Sequence, residues 1–158
     1  MTLTLRGALP GEAELLTDLC LRSKAVWGYD AAFMTACRGE LTIAARDFAS
    51  SRIQVAVRDG RIIAMAQLAQ HGGMADIDKL FVDPDALRSG AGRALFAWCV
   101  ETAKAAGAAA LTVVADPDAA AFYRRMGMRD DGWEPSGSIP GRVLPKLQIA
   151  LSDASCEA

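Results

Sequence analysis

The sequence predicts a mixed α/β (α+β) domain in which helices flank a mostly antiparallel sheet. The composition is that of an ordinary globular protein, because 52% of the 158 residues are hydrophobic and 23% are charged. Segments with period-two alternation, typical of strands, are interspersed with longer segments of helical period. Between two of the alternating segments stands Asp59-Gly60, a strong signal for a hairpin and therefore for antiparallel neighbours. We expect residues 1–158 to form a single domain.

The first part of the chain predicts one strand and two helices. Residues 2–6 alternate in polarity like a short strand. Pro10 is expected to begin a helix, because proline is well tolerated in the first helical turn. The apolar side of this helix is formed by Leu15, Leu16, Leu19 and Cys20. A second short helix is expected from Asp30.

Three strands are predicted in the middle of the chain. Residues 53–57 alternate apolar with polar or small side chains, and residues 61–69 follow the hairpin turn as the return strand. His71-Gly72-Gly73 is a second turn, and residues 75–82 form a third central strand. These three segments are the predicted centre of the sheet.

The second half predicts two helices and three strands. A helix begins near Ala91 and ends at Gly107, and its apolar stripe consists of Leu95, Phe96, Cys99, Val100 and Ala103. Residues 111–115 are expected to be a strand buried on both faces. Asp116 then caps a helix over residues 118–126 whose core side presents Ala119, Phe122, Tyr123 and Met126. A strand near residues 128–134, a loop and a last strand with Leu147, Ile149 and Leu151 complete the chain.

The most informative segment is residues 87–93, Leu-Arg-Ser-Gly-Ala-Gly-Arg, between the third central strand and the helix from Ala91. Glycines allow positive φ, and the first N–H groups of a helix have no partner within it. This combination is typical of a phosphate site. Leu95 stands where a dinucleotide-binding motif needs its third glycine, and Gly92 lacks the Lys-Ser/Thr of a Walker loop. A tight turn without a ligand is the alternative for this segment considered by itself.

Charge and composition disfavour several classes of protein. The net charge is −2, and the chain has no run of five like charges, so nucleic acid is not an expected partner. No apolar stretch has the length of a membrane span, and the first residues do not resemble a secretion signal. Cys20, Cys37, Cys99 and Cys156 lack the spacing of metal ligands. We therefore expect no metal and a reducing, cytoplasmic location, and the Ala, Arg and Gly content suggests a bacterial source.

With these segments in place, the chain resembles the GNAT superfamily of acyl-CoA-dependent N-acetyltransferases. The resemblance extends over nearly the whole chain and rests on three segments. They are residues 80–95, residues 111–115 and residues 121–128, Ala-Phe-Tyr-Arg-Arg-Met-Gly-Met, which are similar to the family's Phe-Tyr-x-x-x-Gly-Phe. The resemblance implies a GNAT-like sheet with a splayed strand pair, and acetyl-CoA as the co-substrate.

The resemblance also implies which residues hold coenzyme A. The pyrophosphate falls on Arg88, Ser89, Gly90, Ala91, Gly92 and Arg93. The pantetheine arm pairs with the backbone of Leu80 and Val82, and the cofactor also lies beside Phe81, Asp118, Phe122 and Tyr123. The chain departs from the family at Leu87, where Gln or Arg is usual, and the adjacent Arg88 is a candidate replacement.

Acyl transfer to an amine needs a proton acceptor for the amine and a proton donor for the departing thiolate. By resemblance, Tyr123 is the donor and Asp76 the acceptor. The alternatives are a packing role for Tyr123 and, for Asp76, a solvated strand face next to Lys79. Asp78 lies two residues along the same strand and faces the same side as Asp76, and His71 or a water chain are further candidates for the acceptor.

In the family, the acceptor pocket is walled by the first pair of helices and the loop before the last strand. Trp27, Tyr29 and Phe33 would form an aromatic wall here, and Arg142 would bind a substrate carboxylate. The alternatives are core packing for the three aromatic residues and an ordinary loop around Arg142.

These observations predict an N-acetyltransferase that moves an acetyl group from acetyl-CoA to a primary amine of a small molecule, peptide or protein. The amine attacks directly within a ternary complex. The alternative function is a non-catalytic acyl-CoA-binding sensor. The resemblance to this family also makes a homodimer an expectation, although no sequence feature identifies the dimer interface.

Overall fold

The computed structural model describes residues 2–151, which form one seven-stranded sheet flanked by helices. The strands are β1 (Leu3–Gly7), β2 (Arg52–Arg58), β3 (Arg61–His71), β4 (Met74–Val82), β5 (Ala110–Val114), β6 (Arg129–Pro135) and β7 (Val143–Ala150). The helices are α1 (Ala13–Ala25), α2 (Ala31–Leu41), α3 (Asp47–Ser50), α4 (Ala91–Ala105) and α5 (Ala120–Arg125), with short 3₁₀ turns at Pro10–Glu12 and Pro84–Ala86. Cys156 lies outside the described residues.

The strand order is β1-β2-β3-β4-β5-β7-β6. Every neighbouring pair of these strands is antiparallel except β4 and β5, which run parallel. A parallel pair requires a crossover, and α4 supplies it. The predicted mixed, mostly antiparallel fold is confirmed.

The strands β4 and β5 separate partway along their length. Their pairing runs from Met74–Ala110 to Ile77–Val113 and then stops. Residues 78–82 of β4 continue along β3 alone. The two carboxyl ends therefore diverge and leave a gap in the middle of the sheet, which we call the splay gap.

A β-bulge in β4 lies at the point where the strands separate. Lys79 is opposite Gln67 and Ile77 is opposite Leu68, so Asp78 is an extra residue without an opposite partner on β3. An extra residue changes which face the following side chains occupy. Beyond the bulge, Leu80 and Val82 pack towards α4 and Phe81 packs towards α1 and α2.

Two cores cover the two faces of the sheet. One lies under α4 and α5 and buries the predicted α4 stripe, including Leu95, Phe96 and Cys99. The other lies under α1 and α2 and buries Leu16, Leu19 and Cys20. The fold is thus a sheet between two helical layers. None of the helices within residues 2–151 is both long and apolar enough to span a bilayer.

Three sequence expectations need correction, and one helix was missed. Leu15 is exposed, because Leu16, Leu19 and Cys20 already define the buried stripe of α1. Val114 was expected to be buried on both faces but is 44% exposed. The reason is that the pairing of β4 with β5 ends at Val113, so β4 no longer lies next to Val114. The fifth helix begins at Ala120 instead of residue 118, after a turn in which Asp116 accepts a bond from the Asp118 N–H. The short helix α3 was not predicted.

Candidate functional site

The loop between β4 and α4 has the backbone geometry of an anion site. Arg88 has φ of 69° and Gly90 has φ of 88°, so two residues close together adopt the left-handed conformation. For Gly90 this costs little, whereas for Arg88 it is a strained conformation. Gly90 is the N-cap of α4 and supplies no side chain to the helix end.

Several amides of this loop are left without protein partners. The Ala91 N–H donates to Ser89 Oγ at 3.2 Å, and the first bond within the helix runs from the Ala94 N–H to the Gly90 carbonyl at 3.0 Å. The N–H groups of Arg88, Gly90, Gly92 and Arg93 find no acceptor anywhere in residues 2–151. We call residues 88–93 the anion loop, because free amides at a helix N-terminus bind anions.

Gly92 joins the anion loop to the other two segments predicted to hold the cofactor. A Cβ at this position would lie 3.5 Å from Phe122 Cε1 and 3.5 Å from Val82 Cγ2. Val82 ends the diverging strand β4, and Phe122 lies on α5 just beyond β5. The tertiary structure therefore brings the three segments together at one end of the splay gap.

The backbone of β4 presents polar groups to the splay gap. The Asp83 N–H donates to the Ile63 carbonyl of β3 at 2.8 Å, so Asp83 is turned towards β3. Successive residues of a strand direct their backbone groups to opposite sides. Phe81 therefore also faces β3, while the backbone groups of Leu80 and Val82 face the gap, as a pantetheine-binding strand requires.

Tyr123 occupies the buried side of α5. Its ring is 5% exposed and lies 5.2 Å from the ring of Phe122, centroid to centroid. Its hydroxyl makes no hydrogen bond with residues 2–151, and no fully buried side-chain N or O atom in that range lacks a partner, so the hydroxyl reaches solvent. Burial, together with the neighbouring Cys99, raises the pKa of Tyr123 above its usual value. The phenol is protonated at neutral pH and can donate its proton.

The proposed proton acceptor Asp76 is involved in two contacts. The Thr112 hydroxyl of β5 donates to Asp76 Oδ1, and His71 Nε2 lies 3.4 Å from Asp76 Oδ2. Asp78 stands at the bulge, next to the splay gap. Partial burial is the main cause of its raised pKa, and the charge of Asp76 acts in the same direction. Both carboxylates stay candidates for the acceptor.

On the side of α1 and α2, five side chains from distant parts of the chain meet. Tyr29 and Phe33 stack with their ring centroids 3.9 Å apart and an interplanar angle of 11°. The Tyr29 hydroxyl donates to Asp116 Oδ2 at 2.8 Å and accepts from Arg142 Nη2 at 2.9 Å. Lys24 Nζ donates to Asp116 Oδ2 at 3.0 Å. We call Lys24, Tyr29, Phe33, Asp116 and Arg142 the Asp116 cluster.

Two groups of the Asp116 cluster titrate abnormally. Burial and the bond to Asp116 raise the pKa of Tyr29 to about 12. Burial alone would raise the pKa of Asp116, but the Asp118 amide, the Tyr29 hydroxyl and the Lys24 ammonium together hold it below its usual value. At neutral pH, Asp116 is therefore ionised and Tyr29 is neutral.

The loop that carries Arg142 is fixed to α2. Ser138 Oγ donates to Glu40 Oε1 at 2.8 Å, and a Cβ at Gly137 would collide with the Glu40 carboxylate. Ser136 Oγ accepts from the backbone N–H groups of Ser138 and Ile139, and the Ile139 side chain packs into the core under α1 and α2. This segment is thus a folded turn that positions Arg142.

The structure brings together Tyr29, Phe33 and Arg142 of the predicted acceptor wall, but not Trp27. The Trp27 side chain is 48% exposed and makes no aromatic or hydrogen-bonding contact with the other three. Sequence reasoning missed Lys24 and Asp116. The missed signal was the position of Asp116, since a polar residue directly after a buried strand lies at the edge where ligands bind in α/β sheets.

A second carboxylate, Asp83, was also missed. Asp83 is 1% exposed and accepts bonds from Arg22 Nη1 at 2.8 Å and Arg61 Nη2 at 3.2 Å. Its other oxygen accepts from the Asp85 N–H at 2.9 Å. Burial opposes ionisation, but Arg22 and the Asp85 amide hold the pKa of Asp83 below its usual value. Asp83 anchors the residues before the anion loop to α1 and β3.

The fold and the site can be compared with known proteins. The model of the acetyltransferase (GNAT) family matches residues 21–128. The chain is similar to a GCN5-related N-acetyltransferase from Rhodopseudomonas palustris, at 24% identity and a TM-score of 0.79, covering 96% of this chain and 97% of that one. A comparison with curated protein sequences finds no significant match.

Two further solved structures share this fold. The PaiA N-acetyltransferase of Thermoplasma acidophilum, in complex with coenzyme A, is 14% identical with a TM-score of 0.76, over 95% of this chain and 99% of that one. The ribosomal-protein-S18-alanine N-acetyltransferase of Escherichia coli is 18% identical with a TM-score of 0.71, over 96% and 95% of the two chains. The likeness extends along nearly the full length of each protein.

Proposed function

The chain belongs to the acetyltransferase (GNAT) family, and we propose that it transfers the acetyl group of acetyl-CoA to a primary amine by direct attack in a ternary complex. The observation that carries this proposal is the set of free amides in the anion loop at the open end of the splay gap. Four N–H groups that have no acceptor within residues 2–151, with the positive end of the α4 dipole behind them, suit a pyrophosphate.

The pantetheine arm is proposed to run along β4 in the splay gap. Leu80 and Val82 offer backbone groups that no strand on that side pairs with. An extended arm with amide groups can pair with such an edge as an additional strand would. The reactive thioester then lies near the point where β4 and β5 separate, beside the Asp78 bulge.

Tyr123 is proposed to give its proton to the departing thiolate of coenzyme A. Its hydroxyl is protonated at neutral pH, makes no hydrogen bond with any of the described residues and lies near the predicted cofactor residue Phe122. The attacking amine must lose a proton, and we propose that this proton passes to Asp76 or Asp78, directly or through water. Burial raises the pKa of Asp78 and so makes it a stronger base than an ordinary carboxylate, which supports a role as the acceptor.

The proposal is tested by measuring the release of free coenzyme A from acetyl-CoA with a panel of primary amines, alongside calorimetry of coenzyme A binding. We expect both binding and amine-dependent release. Tight binding with no turnover on any amine would contradict the proposed enzyme and favour an acyl-CoA sensor. If coenzyme A does not bind, both the enzyme and the sensor are contradicted.

The proposed role of Tyr123 predicts a selective loss in Tyr123→Phe. We expect turnover to fall by about 100-fold, in the range for loss of a general acid, with little change in acetyl-CoA affinity. Phe122→Leu is a comparison variant, because it changes packing beside the cofactor without removing a proton donor. Wild-type turnover in Tyr123→Phe would show that Tyr123 is a packing residue.

A further inference from the structure

The Asp116 cluster carries an uncompensated positive charge. Lys24 and Arg142 are largely buried, with 13% and 20% of their side chains exposed. Asp116 is the one carboxylate in residues 2–151 within ion-pair distance of either cation. Two cations and one carboxylate leave one positive charge, since Tyr29 is neutral below its pKa of about 12. A partly buried excess charge favours an anionic ligand.

The aromatic stack does not neutralise this charge. Lys24 Nζ lies 5.4 Å from the Tyr29 centroid and 5.8 Å from the Phe33 centroid. Arg142 Cζ lies 5.4 Å and 4.9 Å from the same two centroids. All four distances lie within the range of about 6 Å at which a ring attracts a cation. This attraction comes from the quadrupole of a neutral ring and adds no negative charge, so the excess positive charge of the cluster remains.

Both cations retain unused hydrogen-bond donors. A guanidinium has five N–H groups and an ammonium has three. Arg142 uses one nitrogen on the Tyr29 hydroxyl, and Lys24 donates to Asp116. Their remaining donors find no acceptor within the described part of the chain. The planar guanidinium can still bind a carboxylate through two parallel hydrogen bonds.

The position of the cluster links it to the reaction. Asp116 follows β5 just past Val114, which the splay gap leaves exposed. Arg142 comes from the loop that Glu40 and Ser138 fix to α2, so little ordering is needed when a ligand binds. A ligand anion held by Lys24 and Arg142 would therefore sit at the mouth of the gap proposed to hold the thioester.

We propose that Lys24 and Arg142 form a subsite for a carboxylate group of the acceptor, so that the substrates are amines that also carry a carboxylate. The inference rests on the proposed acetyltransferase function. The stacked Tyr29 and Phe33 form the apolar wall beside this subsite. A phosphate of coenzyme A is a second source of a matching anion, and the experiment distinguishes the two sources.

The test compares α-amino acids with their own amides as acceptors, measured by release of free coenzyme A. An amide keeps the shape of the acid and removes its charge, and its amino group is less basic and hence more often neutral. We expect the acid to have at least about a tenfold higher kcat/KM, which corresponds to one charge-assisted hydrogen bond. Equal values, or turnover of carboxylate-free amines alone, would overturn the subsite.

Arg142→Gln removes the cation and keeps a hydrogen-bonding side chain. We expect the acid-to-amide ratio of kcat/KM to fall to about one, while Arg129→Gln, an exposed arginine of β6 with no ion pair among the described residues, keeps the wild-type ratio. An unchanged ratio in Arg142→Gln would overturn the assignment. Arg142→Lys serves as the second variant if Arg142→Gln does not fold, with a reduced ratio expected because the bidentate geometry is lost.

Calorimetry with coenzyme A separates the two sources of anion. We expect Arg142→Gln to bind coenzyme A within about twofold of the wild type. A tenfold or greater loss of affinity would assign the cations to a cofactor phosphate and overturn the acceptor subsite. Absence of turnover with every amine, acids and amides alike, would instead contradict the proposed function itself.

Discussion

The anion loop and the Asp116 cluster both offer hydrogen-bond donors to an anion, but they are built in opposite ways. The anion loop consists of consecutive residues and uses main-chain N–H groups at the start of α4. The Asp116 cluster uses side chains from α1, the segment before α2, the end of β5 and the loop before β7. One site depends on the path of the backbone, and the other on which side chains meet.

This difference determines what each region tolerates. At the anion loop, side chains can vary as long as φ stays positive at two residues and Gly92 leaves room beside Phe122 and Val82. At the Asp116 cluster, Lys24, Tyr29 and Arg142 share one carboxylate in a partly buried setting, so a single change leaves a neighbour without its partner. Substitutions should therefore affect the two regions differently.

The largest effect is expected from Gly92→Glu in the anion loop. The added side chain would enter the space between Phe122 and Val82 and place a negative charge where the pyrophosphate is proposed to bind. We expect coenzyme A affinity to fall at least about 100-fold, equivalent to about 3 kcal/mol, as measured by calorimetry.

Gly11→Glu is the matched control for Gly92→Glu, because it introduces the same negative charge away from the anion loop. Gly11 lies in the first 3₁₀ turn, and a Cβ there would have no atom within 4 Å. The Gly11→Glu variant should bind coenzyme A with the affinity of the wild type. A folded Gly92→Glu protein with wild-type affinity would refute the proposed pyrophosphate site.

A smaller effect is expected from Asp116→Asn in the cluster. The change keeps the shape of the side chain but leaves Lys24 and Arg142 without their shared negative charge. We expect the free energy of unfolding to fall by about 1–3 kcal/mol, less than for a fully buried pair because these groups are partly exposed. Chemical denaturation at neutral pH measures it.

Asp131→Asn is the comparison for the loss of a carboxylate, because Asp131 is exposed on β6 and makes no ion pair within residues 2–151. It should leave stability nearly unchanged. If Asp116→Asn is as stable as Asp131→Asn, the cluster does not depend on the negative charge of Asp116, and the contrast between the two regions is wrong.

The smallest effect is expected from Arg88→Gly in the anion loop. Glycine adopts the left-handed conformation of this residue without strain, so the backbone path and its free amides should persist. We expect coenzyme A affinity to change by less than about fivefold, the range of one exposed charge pair. A loss as large as that in Gly92→Glu would mean that the Arg88 guanidinium, and not the backbone, binds the cofactor.

Local patterns were enough to predict the glycine turn that begins α4 and most of the sheet. The alternation of β2 and β3, the Asp59-Gly60 turn and the α4 stripe each depend on residues close in sequence. The bulge at Asp78 could not be predicted in this way, because nothing in β4 by itself shows where its register with β3 shifts. Likewise, the exposure of Val114 depends on how far β4 follows β5.

The sequence by itself determined the fold class, the family and the glycine turn that begins α4, since periodicity, a glycine pair and a helix start act within about ten residues of one another. Only the tertiary structure decided that Lys24 and Asp116 join Tyr29 and Arg142, because these residues are far apart in the chain, Tyr29 and Arg142 by 113 positions. It also decided that Trp27, predicted beside Tyr29 and Phe33, lies apart from them. Such contacts depend on how whole elements pack, and no local sequence pattern encodes them.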